Sequence, residues 1–282
     1  MSTVLLNEII ETLEIWFPLR LAENWDNVGL LIGDRHQPVR KIMTCLTITP
    51  EICSEAVDQK ASLIVSHHPF PFQPFKQITS ETVAGQMMLG LIRAGIAVYS
   101  PHTSHDSAMT GINQQIAEKL QLLEISPLYD QTMTNAVADS GLWMEVGGTG
   151  RIGHLAKSVK LSELIDKIGL IFSQKIVPFV GDPKRMVQRV AIGCGAAGEF
   201  FSQVVLKKAD VFLLGEAKYH QFLEAESHRI AMILPGHYAT ERFAVESLAK
   251  RIAGCFHLLD PSCVWASQRE TDPLGWHLTG MP

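Results

Sequence analysis

The chain has 282 residues, 46% hydrophobic and 19% charged, enough for the packed core of one large or two modest domains. Its 24 basic and 29 acidic residues give a formal net charge of -5, and its basic pairs, Lys184-Arg185 and Lys207-Lys208, are too short for a nucleic-acid stripe. Five cysteines without a CxxC argue against a disulfide framework and a cysteine zinc site, and no apolar stretch is long enough to span a membrane.

Residues 1–21 carry Asn7, Glu8, Glu11 and Glu14 among apolar positions, which predicts an amphipathic helix and not a signal peptide. Reduced thiols then fit a cytoplasmic protein. Strands are predicted at 41–48, 63–66, 96–100, 189–193, 211–215 and 230–234. Helices are predicted between and after them, at 51–60, 83–94, 111–122, 161–168, 198–208, 219–228 and 240–253. This alternation predicts an α/β fold with largely parallel strands. Residues 128–151, rich in Thr, Asp, Ser and Gly, break the rhythm and read as a crossover or a small hairpin. A second domain is expected from about 127 to about 235.

The polar residues gather where the strands end. Leu63 to Ser66 runs into His67-His68, and Ala97 to Ser100 into His102, His105 and Asp106. Val211 to Gly215 runs into Glu216, Lys218 and His220, and Ala231 to Pro235 into His237 and Glu241. Open α/β sheets build their sites outside the carboxyl ends of strands. His237 and Glu241, four apart, share one face if a helix starts near Tyr238. With His67, His68 and Asp106 they make three imidazoles and two carboxylates, more than one closed tetrahedral zinc takes. That set suits two divalent metals sharing a water that can attack a substrate. Zn, Fe, Mn, Ni or Co all accept such ligands. His105 is either a neighbour of the site or a solvent-facing residue. His36, His154, His228, His257 and His277 read as ordinary structural or surface histidines.

Gly193-Cys194-Gly195-Ala196-Ala197-Gly198 is a literal GxGxxG after a strand, with Glu216 near the spacing of a ribose-binding acid. It raises a rival reading, a dinucleotide-binding oxidoreductase. Glu199 at the helix start would repel a pyrophosphate. A tight strand-to-helix turn ranks first for this motif, a cleft wall second and nicotinamide binding third.

Several strings together resemble the NIF-three-like family, whose bacterial members carry the description GTP cyclohydrolase 1 type 2 homolog. They are Trp25-Asp26-Asn27-Val28-Gly29 through Asp34, Ser66-His67-His68-Pro69-Phe70, His102-Thr103-Ser104-His105-Asp106, Gly215-Glu216 through His220, and Gly236-His237 through Glu241. The resemblance implies a dinuclear metal site on His67, His68, Asp106, His237 and Glu241, with His102 beside it. It implies two α/β domains with mixed, largely parallel sheets and the metals in the cleft between them. The first would be discontinuous, 1–127 plus 235–282, with 128–234 inserted, and the protein a ring-shaped homohexamer. Many relatives carry Asp where this chain has Thr47, and the tail 263–282 matches no nameable pattern.

The leading expectation is a metal-dependent hydrolase or cyclohydrolase acting on a small, nucleotide-like molecule. His102 would orient a ligand or relay a proton, and Glu216, Lys218 and His220 would line the substrate side. The alternative is a metal-binding protein that stores, delivers or senses metal, or serves as a regulatory assembly platform, without turnover.

Overall fold

A computed structural model of the chain describes residues 4–129, 147–256 and 260–277. The first part runs through β1 (Val4–Leu5), α1 (Leu6–Trp16), β2 (Gly29–Ile32), β3 (Pro38–Val39), β4 (Ile42–Cys45) and α2 (Pro50–Asp58). It continues through β5 (Leu63–Ser66), α3 (Val83–Arg93), β6 (Ala97–Ser100), α4 (His102–Ser107), α5 (Ile112–Lys119) and β7 (Leu123–Ser126). Next come β8 (Arg151–Lys160), α6 (Leu161–Ile171), β9 (Phe179–Val180), β10 (Met186–Gly193), α7 (Phe201–Leu206) and β11 (Val211–Leu214). The chain closes with α8 (Tyr219–His228), β12 (Ala231–Ile233), α9 (His237–Cys255) and β13 (Val264–Ala266).

These strands build two larger sheets and the small ribbon β1-β3. The first sheet has the order β13-β4-β5-β6-β2, parallel except at β2. The second has the order β7-β8-β10-β11-β12-β9, with β10, β11 and β12 parallel and the outer strands antiparallel. The fold is the mixed, largely parallel α/β class expected.

Successive strand residues face opposite ways, so a continuous apolar run serves two cores. In the first sheet Ile42, Leu63, Val65, Ala97 and Tyr99 pack on α1 and the end of α9, while Met43, Ile64 and Val98 pack on α2 and α3. In the second, Val190, Ile192, Val211 and Leu213 pack on α5 and α6, while Ala191, Phe212 and Leu214 face α7 and α8. Helix α9 joins the two: Ala239 and Ala244 belong to the second core, Leu248, Ala249 and Ile252 to the first. Its N-terminus therefore lies where the sheets meet.

Some elements differ from expectation. The N-terminal helix is shorter, because it starts only after the ribbon strand β1. Strand β8, ten residues long, was not anticipated: Gly153, His154 and Lys157 interrupt its alternation, and its pairing with β7 and β10 supplies what propensity lacks. β7, ahead of the boundary expected at 127, pairs in the second sheet. α4 falls where no element is predicted, and α9 starts three residues before the expected 240. Of the segment 128–151, Tyr129 and Thr149 form a β-bridge, and residues 130–146 lie outside the described residues. So do His257 and the last five positions of the tail, whose earlier part forms β13 beside β4.

Candidate metal centre

The paired histidines emerge from the end of β5 with their backbone fixed. The amides of His67 and His68 donate to the carbonyls of Cys45 and Leu46 at 2.9 and 2.8 Å. The hydroxyls of Ser100 and Ser66 donate to the two histidine carbonyls at 2.6 and 2.8 Å. Alternation then sends His67 inward, 4% exposed, while His68 faces a cavity. Asp106 comes from α4, just beyond β6. His237 opens α9 after β12, and Glu241 follows one helical turn later on the same face.

These side chains converge. Oε2 of Glu241 lies 3.0 Å from His237 Nε2, 3.1 Å from His68 Nε2 and 3.8 Å from His67 Nε2. The Nε2 atoms of His68 and His237 are 3.3 Å apart, and His67 Nε2 is 3.6 Å from Asp106 Oδ1. Donor atoms of His68, His237 and Glu241 fall within 4.8 Å of one another, and so do those of His67, His68 and His102. The three-imidazole, two-carboxylate set of the sequence thus shares one small volume, with Glu241 at its centre.

The protonation pattern follows from burial and charge. Burial works against the Glu241 carboxylate, but its hydrogen bonds with His237 and His68 and the positive charge of His237 hold it well below the ordinary range. Burial, with Glu241 nearby, pushes Asp106 up to about 7. Glu241 and Glu216 raise His237 to about 9 against its own burial. His67, buried among other imidazoles, is pushed well down and stays neutral. Among the described residues neither of its ring nitrogens has a hydrogen-bond partner. An orphaned, neutral, buried imidazole beside two carboxylates fits a divalent metal ligand, because the lone pair is available and otherwise unsatisfied.

Neighbouring groups orient these side chains. His102 Nδ1 is 2.7 Å from Asp26 Oδ1, and the amide of Thr103 donates to Asp26 Oδ2 at 3.1 Å. His102 adopts φ +28°, a backbone region that L residues seldom occupy. Glu216 lies 3.1 Å from His237 Nδ1. The Cys194 thiol, kept protonated by burial and by Asp106, donates to Asp106 Oδ1 at 3.2 Å. His105 is not a solvent-facing residue: it is 3% exposed, packs on Phe17 at 4.1 Å between ring centroids, and is pushed down to about 3 by burial. Glu216, Lys218 and His220 are all exposed and none of them lines the cavity; Glu216 meets the cluster through His237 Nδ1.

Thr47 hydrogen-bonds His68 Nδ1 at 2.7 Å. Its backbone is held by the tail: Glu270 accepts from the amides of Leu46 and Thr47 at 2.9 and 2.7 Å and pairs with Arg242 at 3.0 Å. A hydroxyl accepting from Nδ1–H leaves Nε2 as the ligating atom. Thr47→Val is therefore expected to weaken metal binding about tenfold, with Thr47→Ser recovering most of it. A chelator-competition titration checks this, and an unchanged affinity in the valine variant contradicts it.

The cluster forms the floor of a cavity of about 450 Å³. Trp25, Phe72 and His102 line it from the first sheet's side, and Cys194, Ala196, Ala197 and Phe200 from the second's. The glycine motif belongs to this second wall. Gly195, at φ +60°, passes so close to the cluster that a Cβ would sit 2.1 Å from Glu241 Oε1. The amides of Cys194 and Gly195 donate to Asn113 Oδ1 and Thr240 Oγ1 at 2.8 and 3.1 Å, so they are not free to cradle a phosphate. The motif is a tight turn and a cavity wall.

Asp26 and Glu270 carried no assigned role in the sequence reading. Asp26 lies within the Trp25–Asp34 string, whose position ahead of a strand gave no hint of the histidine it meets. Glu270 sits in a charged tail that reads locally as solvated.

A family model described as Duf34/NIF3 (NGG1p interacting factor 3) matches residues 4–273. A GTP cyclohydrolase 1 type 2 homolog of Clostridium acetobutylicum is 29% identical over 267 residues, covering 94% of this chain and 96% of the relative. Protein NIF3 homolog of Schizosaccharomyces pombe is 32% identical, covering 95% and 96%. Among solved structures, a Bacillus cereus protein related to NIF3 superposes with a TM-score of 0.85 at 22% identity, covering 98% of this chain and all (100%) of the other. The chain belongs to the Duf34/NIF3 family.

Proposed function

We propose that this protein is a metal-dependent hydrolase or cyclohydrolase acting on a small molecule in the cavity above the histidine–carboxylate cluster. The observation that carries the reading is Glu241: one buried carboxylate within 3.0–3.8 Å of three imidazoles from two different strand ends. His67, His68, Asp106, His237 and Glu241 would hold two divalent metals, with His102 beside them. When bound, such a pair supplies an acidified water and Lewis-acid polarisation of a substrate oxygen.

The chain's own residues supply the remainder. Glu241 stays ionised and central, so it can serve both metal positions. His102, anchored by Asp26, can pass a proton to or from a substrate in the cavity. Thr47 and Glu216 fix the ring orientations of His68 and His237. The relatives' description as GTP cyclohydrolase 1 type 2 homologs is consistent with hydrolytic ring opening.

Protons compete for the same atoms. In the metal-free chain at pH 7, His237 holds a proton and Asp106 is near half-titration. Both must deprotonate to ligate, so loading at pH 7 is expected to release about one to two protons per chain. Affinity should rise with pH up to about 9 and flatten beyond it, since His237 is then deprotonated without metal. Calorimetry in buffers of different ionisation enthalpy measures the release, and a value near zero contradicts the assignment.

Turnover is tested by screening the metal-loaded protein against nucleotides, nucleosides and phosphoesters, with His68→Ala as control. Activity lost in the variant supports the enzyme. Tight reversible metal binding with no turnover across the panel would favour a metal-delivery role on the same ligands.

A further inference from the structure

The cavity wall bears a pair of aromatic side chains that metal binding does not require. Trp25 and Phe72 are 58% and 52% exposed, with ring centroids 6.2 Å apart and 6.0 and 6.3 Å from the ring of His102. Exposed rings of this size are costly to hydrate and mark binding surfaces when they cluster. They are also held in place. Asp26 ties the Trp25 loop to His102 and Thr103, and Asn27 Nδ2 donates to the Pro71 carbonyl at 3.0 Å, next to Phe72. Neighbours in both loops of this wall are thus anchored, which lowers the entropy lost when a ligand stacks there.

The charge of the cavity limits what can lie against that wall. Apart from Asp106 and Glu241, whose charge bound metals would offset, its lining carries Glu23 and Glu199, and among the described residues no Lys or Arg. Polyphosphates are held by arginine or lysine forks and by free amides at glycine-rich turns. Here the first are missing from the lining, and the amides of Cys194 and Gly195 are committed to Asn113 and Thr240. The volume of about 450 Å³ lies toward the small end for ligand pockets.

We propose that the cavity binds a flat nitrogen heteroaromatic of zero or positive charge, at the size of a base, pterin or nucleoside, stacked on Trp25 and Phe72 with its polar edge toward the cavity floor. This rests on the metal-site reading for the role of that floor, and it makes a nucleoside triphosphate no better a ligand than the nucleoside, because Glu23 and Glu199 on the lining oppose the phosphates that a metal would attract. Stacking of a base on an aromatic side chain is sequence-tolerant and strong enough that removing one ring weakens binding roughly five- to hundredfold.

The test is calorimetric titration of guanosine, adenosine and pterin against GTP and ATP, on Mn-loaded and on chelator-treated full-length protein. At least one uncharged probe is expected to bind as tightly as its triphosphate or tighter. Phe72→Ala and Trp25→Leu should each weaken it at least about fivefold, with metal content unchanged. Both side chains are exposed, so neither change removes core packing. A triphosphate bound more than about tenfold tighter than every uncharged probe overturns the proposal. So does binding that ignores both ring variants, and so does no binding of any uncharged probe. Metal content, measured separately, keeps the two readings apart. A chain that takes no metal yet binds a probe in a ring-dependent way sinks the metal reading alone, and a metal-replete chain with ring-insensitive binding sinks this one alone.

Discussion

Glu241→Gln is expected to reduce divalent-metal affinity by more than about a hundredfold while the chain remains folded, a larger loss than removal of an orienting group produces. The reason is geometric. Oε2 of Glu241 approaches His67, His68 and His237, residues delivered by β5 and by the start of α9. Glutamine keeps the volume and one acceptor but removes the charge that offsets two cations. The same substitution removes the main partner that raises His237, so its imidazole should titrate closer to an ordinary histidine. Metal content by mass spectrometry and the His237 titration by NMR both read the variant. Wild-type metal affinity in a folded Glu241→Gln protein would show that the cluster is not the metal site.

Arg151→Met is expected to lower stability by about 3–5 kcal/mol, because it leaves buried groups without their charged donor. Arg151 is 0% exposed. Its Nη1 donates to the carbonyls of Gly148 and Gly150 at 2.7 and 2.6 Å, and its Nη2 to those of Ser107 and Ala108 at 3.2 and 2.7 Å. Its Nε donates to Gln114 Oε1 at 2.9 Å. One guanidinium thus fastens the start of β8 to the end of α4, one residue beyond Asp106. Burial lowers its pKa only to about 10, so it stays charged at neutral pH. Methionine matches the length but leaves four backbone carbonyls without that donor. Lysine offers no planar fork, so Arg151→Lys should recover only part of the loss. Thermal unfolding should shift down by roughly 10 °C in the methionine variant, and a shift within about 2 °C contradicts this account.

The parallel strands and the ligand cluster were legible because both are written in local pattern. Apolar runs such as Leu63–Ser66 can only be buried strands, and polar residues immediately after them must lie at the carboxyl edge. Less legible was whatever depends on partners distant in sequence. β8 is a strand because β7 and β10 flank it. Arg151 reads as the last residue of a polar, glycine-rich stretch, and nothing around it announces a guanidinium with no exposure. The tail carries Glu270, whose carboxylate caps Leu46 and Thr47 more than two hundred residues away. That capping sets the Thr47 hydroxyl against His68, so the tail acts on the site across more than two hundred residues of sequence. The glycine motif shows the reverse case, a local pattern with a familiar look whose amides and close approach to Glu241 serve a different purpose.

The most direct test is the metal content of the protein purified without chelator, or reloaded after chelation, measured by inductively coupled plasma mass spectrometry against protein concentration. About two divalent ions per chain are expected, falling below one in Glu241→Gln. No retained metal, or no more than one ion per chain even after loading with excess metal, would contradict the dinuclear centre.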